Sequence, residues 1–128
     1  MNIKLVYLED NEDLRALMSL ELKRHLGIDC LSLAKLADFE AHSAEVLDSQ
    51  MAFLDINLGQ RQPTGYDAYR WLKRHIYGGK IFFLTGHASG SPLLAEAVGL
   101  DAIVLEKPIK TESLFSLIRE HGKQKWGG

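Results

Sequence analysis

Cysteine is nearly absent from this chain. One cysteine among 128 residues, Cys30, excludes an internal disulfide and suits a reducing compartment. It lies in a short apolar run, where a buried and inert thiol is expected. Long apolar runs are missing too. No stretch approaches the roughly 20 residues that cross a bilayer, and Met1 to Lys4 lead at once into a strand rather than a signal peptide. A cytoplasmic location is the expectation. Charge of one sign is also scarce. With 17 acidic against 15 basic residues the formal net charge is −2, so nothing points to nucleic acid or membrane as a direct partner. There is no internal repeat and no low-complexity segment. No GxGxxG or Walker pattern follows any strand, which removes a nucleotide loop. His25, His42, His75 and His121 fall on separate predicted helices at no zinc-ligand spacing, and His87 reads as a solvated loop residue.

What is present is an alternation of short apolar strands with amphipathic helices. The composition is 46% hydrophobic and 25% charged, ordinary for one globular domain with a real core. Strands are predicted at Ile3–Leu8, Ile28–Leu33, Met51–Leu54, Lys80–Leu84 and Ala102–Leu105. Leu14, Leu17, Met18 and Leu22 recur at helical spacing and predict a helix from Glu12 to Leu26, with Gly27 at its C-cap. A second helix is expected near Leu36 to Leu47, burying Phe39, Val46 and Leu47. Tyr66, Tyr69, Leu72 and Ile76 mark a third, ended by Gly78-Gly79. Ser91-Pro92 is a good start for a short fourth helix, with Ser as N-cap and Pro at the first helical position. Thr111 caps the last, which runs to about His121 with Leu114, Leu117 and Ile118 inward. The βαβαβαβαβα order implies a parallel sheet covered on both faces. A single domain over residues 1–121 is expected, with 122–128 as tail or linker. It is either a stand-alone unit or part of a longer protein.

Four of these strands end in polar groups of different kinds: Glu9-Asp10, Asp55, Thr85, and Lys107-Pro108. In a parallel sheet the carboxyl ends share one edge, where ligands bind. Singly, each group has an ordinary role. Asp10 or Asn11 can cap the first helix, Asp55 can cap a loop, Thr85 can be a plain strand residue and Lys107 a solvated charge. Jointly, they can hold a divalent cation and a phosphoryl group. Arg70, Lys73 and Arg74 form a basic cluster on the third helix, with Trp71 near that exposed face as a weak candidate partner contact.

Taken in order from Ile3 to His121, these motifs make the chain similar to the receiver domain of two-component response regulators. The resemblance implies a flavodoxin-like, doubly wound, five-stranded (βα)5 fold. It implies that Asp55 takes a phosphoryl group from a phosphohistidine, a carboxylate ionised at neutral pH needing no general base. Thr85 and Lys107 would hold the transferred group. Mg²⁺ would be bound by Asp10 directly, by Glu9 through water, by Asp55, and by the backbone carbonyl of Asn57. No organic cofactor is implied, and the domain is not an enzyme beyond its own phosphorylation and dephosphorylation. Implied partners are a sensor histidine kinase or a histidine phosphotransfer protein. A homodimer through the fourth helix, fifth strand and last helix is a further one. The Lys107-Pro108 bond is usually cis in this family.

Four features depart from the family pattern. The acid pair is Glu-Asp rather than Asp-Asp. The loop from Asp55 to Gly65 is long, and its first proline, Pro63, comes late. Gly86 follows Thr85 where a small residue is expected. Val104 stands three before the lysine, where an aromatic ring usually moves with the Thr or Ser. A receiver-like interaction domain not controlled by phosphorylation is therefore an alternative. A haloacid-dehalogenase-type phosphohydrolase is another, but there the nucleophile follows the first strand and the metal acids come last. FMN would be repelled by Glu9-Asp10.

Overall fold

A computed structural model describes residues 4–56, 65–86, 102–107 and 110–127, with side chains as far as His121. Five strands, β1 (Lys4–Leu8), β2 (Asp29–Leu33), β3 (Met51–Asp55), β4 (Lys80–Thr85) and β5 (Ile103–Glu106), form one sheet in the order β2-β1-β3-β4-β5. All four pairings are parallel. The parallel sheet is the one expected from the element order, and its strand order is the flavodoxin-like, doubly wound one that the resemblance implies. The order reverses at β1, between β2 and β3, which opens a crevice at their carboxyl ends.

Helix α1 (Glu12–Leu26) has the predicted bounds. Asn11 is its N-cap, accepting from the Leu14 amide at 3.0 Å. Gly27 closes it at φ 65, a left-handed conformation that costs glycine little. The expected second helix is instead two, α2 (Leu36–Ala41) and α3 (Ser43–Leu47), broken at His42. The polar His42-Ser43 pair is a weak helix former, yet Phe39 and Val46 both remain fully buried. Helix α4 covers Gly65–Arg74 and α5 covers Thr111–Gly127, past the expected end at His121. The fourth predicted helix, from Ser91, lies outside the described residues.

Alternation along the strands divides the core. Val6, Leu8, Ala52, Leu54, Ile81 and Phe83 pack against α2, α3 and α4. Leu5, Met51, Phe53, Phe82 and Leu84 pack against Leu22 of α1 and Leu114, Phe115 and Ile118 of α5. Phe53 and Phe82 stack with centroids 4.7 Å apart. Leu117, expected inward, is only partly buried, and Phe115 takes the inner place. Cys30 is partly buried, and burial pushes its thiol above the ordinary range, as an inert cysteine requires. Among the described residues no helix is long and apolar enough to cross a membrane.

Two expectations on the third predicted helix are corrected. Trp71 does not face solvent. It is 4% exposed, set edge-on to Phe39 at 5.7 Å and stacked on His75 at 4.2 Å. Ile76 is not on the inner stripe. It follows the helix at φ 57 and is 89% exposed. A β-branched residue is strained there and recovers nothing by packing. Ile76→Gly is expected to raise stability by about 0.5–1 kcal/mol. It should move the urea midpoint up at unchanged slope, and a lower midpoint would contradict the strain.

Candidate functional site

The alternation that sorts the core also gathers the site. Tyr7, Phe53 and Leu105 all belong to the face covered by α1 and α5. Two residues further on, Glu9, Asp55 and Lys107 reach the sheet edge on that same side. The register keeps them level. Leu8 is paired with Leu54, Asp55 with Leu84, and Thr85 with Glu106. The Lys107 amide then donates to the Thr85 carbonyl at 2.7 Å, extending the β4–β5 ladder by one residue.

Lys107 ties the site together. Its Nζ lies 3.0 Å from Asp55 Oδ2 and 3.1 Å from Glu9 Oε1. Both acids are buried, at 3% and 2% exposure. Two buried carboxylates side by side are costly without a cation, and the ammonium offsets that. Burial alone would lower the lysine's pKa. The hydrogen bond and charge of Asp55, then those of Glu9, outweigh it, and the net displacement is upward.

Glu9 is held on every side. Its Oε2 accepts from the Asn11 amide at 3.2 Å, and its Oε1 accepts from the Tyr7 hydroxyl at 3.3 Å as well as from Lys107. The Arg15 guanidinium donates to its carbonyl at 2.7 Å. Burial first, then the charge and hydrogen bond of Glu9, push the Tyr7 hydroxyl above its ordinary range, so it remains a donor. Asp10 is exposed, next to these groups. Its carboxyl is shifted up, first by a hydrogen bond with Glu9, then by burial and by the charge of Glu9.

Glu9, Asp10 and Asp55 each offer an oxygen, all within 4.8 Å of one another. Three hard oxygen donors, one of them open to solvent, fit a divalent cation that keeps several waters. Thr85 is buried at the end of β4. Its strand alternation puts it with Phe83, on the α4 side. Asn57, His87, Pro108 and the Lys107–Pro108 bond lie outside the described residues. A Cβ on Gly86 would meet open space, so packing does not demand glycine there. Val104 packs partly buried on the α4-side core and pairs with Phe83.

Helix α4 begins hard against the phosphoacceptor candidate's own backbone. The Gly65 amide donates to the Ile56 carbonyl at 3.3 Å. A Cβ on Gly65 would lie 2.6 Å from the Asp55 carbonyl oxygen.

Tyr7 and Arg15 were not among the residues singled out by sequence. Tyr7 had a signal, since a period of two from Glu9 places it on the same face. Arg15 had none, because its contact is to a backbone carbonyl.

A family model described as the response regulator receiver domain matches residues 5–119. Among curated proteins none matches the chain's sequence. Solved structures share the fold. A CheY-like response regulator receiver domain from Methylobacillus flagellatus is 20% identical, with 94% of this chain and 99% of that one covered at a TM-score of 0.77. A CheY-like receiver domain protein from Methanospirillum hungatei is 18% identical, with full coverage of both chains at 0.78. The signal receiver domain of a protein assigned as a Luxo repressor, from Vibrio parahaemolyticus, is 23% identical. It is covered over 92% of its length, against 97% of this chain, at 0.77.

Proposed function

Because the chain belongs to the response regulator receiver domain family, we propose that it accepts a phosphoryl group from a phosphohistidine on Asp55. The observation that carries this reading is Lys107 Nζ at 3.0 Å from a buried Asp55 carboxylate, at an edge shared with Glu9 and Asp10. A carboxylate oxygen of Asp55 attacks phosphorus. The phosphorus–nitrogen bond to the donor breaks, and its electron pair returns to the imidazole. Lys107 is already in reach of the oxygens that gain charge. Thr85 ends the next strand on the α4 side, and its hydroxyl would turn over the sheet edge to reach the bound group. Glu9, Asp10 and Asp55, with the Asn57 carbonyl, would hold Mg²⁺, which when bound neutralises phosphoryl charge.

The donor would be a sensor histidine kinase or a phosphotransfer protein. Leu14 and Leu17 are exposed on α1 and line a cleft that also takes in Lys107. Such an apolar surface supports protein docking there. Val104 supports the second reading, an interaction domain indifferent to phosphorylation, because a valine packed on the core has no ring to swing.

Treatment with acetyl phosphate and Mg²⁺ separates the two. The phosphoacceptor reading expects one added phosphoryl group by intact mass, lost without Mg²⁺. No uptake favours the interaction domain. Asp10→Ala is expected to weaken Mg²⁺ binding by at least about tenfold, followed by NMR titration. Undiminished affinity would place the cation elsewhere.

A further inference from the structure

Glu9 Oε1 has two side-chain donors, Lys107 Nζ at 3.1 Å and the Tyr7 hydroxyl at 3.3 Å. The lysine is shared with Asp55, whereas the tyrosine is not. A phosphoryl group carries about −1.5 to −2 charge, so its arrival on Asp55 draws the ammonium toward its oxygens. Glu9 is 2% exposed, so bulk water is poorly placed to replace a lost donor. A buried carboxylate left short of donors is expensive. Tyr7 is itself only 4% exposed. It lines a cleft of about 310 Å³ between α1 and α5, together with Leu84, Lys107 and Phe115. Its ring packs like any apolar residue of that face, and its hydroxyl is aimed at the site.

We propose that Tyr7 is a positioning residue for the phosphoacceptor site. Its hydroxyl holds the Glu9 carboxylate in place while Lys107 turns from Glu9 to the phosphoryl group on Asp55. This rests on the phosphoacceptor reading above. Tyr7 touches neither the phosphoryl group nor the cation and acts through Glu9.

Tyr7→Phe keeps the ring and removes only the donor. With Mg²⁺ present, its affinity for beryllofluoride, a phosphoryl mimic, is expected to fall about tenfold, the lower end for a hydrogen bond to a charged acceptor. Mg²⁺ affinity alone should fall less, about two- to threefold, because without a phosphoryl group Lys107 still donates to Glu9. In a Glu9→Gln background the acceptor is uncharged and the bond weaker. There the same substitution should change either affinity by less than about twofold. A merely structural tyrosine would lower both backgrounds equally, and equal losses overturn the assignment. So does an unchanged affinity in Tyr7→Phe alone. If the wild type takes no beryllofluoride, the phosphoacceptor reading fails by itself. The Mg²⁺ titrations then decide only whether Tyr7 positions Glu9. A loss confined to the Glu9 background supports it, and equal affinities refute it.

Discussion

Asp55→Asn is expected to end phosphoryl uptake from acetyl phosphate, by at least about a hundredfold, while the protein stays folded. An amide of the same shape fills the place but offers no anionic oxygen to attack phosphorus. The fold should tolerate it because two electrostatic effects oppose each other. Lys107 loses its partner at 3.0 Å but keeps Glu9 at 3.1 Å. The crowding of three acids within 4.8 Å is also relieved. Net stability should change by no more than about 1 kcal/mol. Intact mass spectrometry reads the uptake, and urea unfolding reads the fold. Uptake retained in a folded Asp55→Asn would move the phosphoacceptor to another acid, Asp10 first.

Gly65→Ala should do the reverse, altering no site side chain chemically but damaging the frame beneath them. The added carbon would meet the Asp55 carbonyl oxygen at 2.6 Å, its carbonyl carbon at 3.0 Å and Ile56 Cα at 3.1 Å. All three are backbone atoms of a strand end locked between its neighbours, so no flexible side chain can give way. Either α4 lifts off or the end of β3 shifts. Overpacking of this kind costs about 1–3 kcal/mol, and the upper half of that range is expected here. Because β3 ends in Asp55, beryllofluoride affinity should fall in step with the urea midpoint. Wild-type stability in Gly65→Ala would mean that the contact is slack. Lost stability with intact affinity would mean that α4 alone moves.

The site was legible in sequence to the extent that strand ends mark it. Parallel strands finish at one edge, so Glu9, Asp10, Asp55 and Lys107 could be brought together on paper, and the structure brings them together. Arg15 was illegible, because a side chain bound to a backbone carbonyl leaves no pattern. Trp71 was misread for a related reason. Its neighbours Arg70, Lys73 and Arg74 suggest an exposed face, but a helix shows its partners only when α2 brings Phe39 against it.

The sequence by itself determined the alternation of strands and helices among the described residues, apart from the break at His42, the bounds of α1 with Gly27 as its C-cap and Asn11 as one of two N-cap candidates, and the acids at the ends of β1 and β3. These follow from local chemistry: hydrophobic period, capping side chains and glycine's left-handed freedom. The tertiary structure decided which strands are neighbours. In doing so it decided that one ammonium serves two buried carboxylates, one of them 98 residues away in the chain. It also decided that Leu14 and Leu17 stay exposed while Leu22, on the same helix, is fully buried. Periodicity says which residues share a face. Only packing says whether another element covers that face, because burial belongs to the pair of surfaces and not to either one.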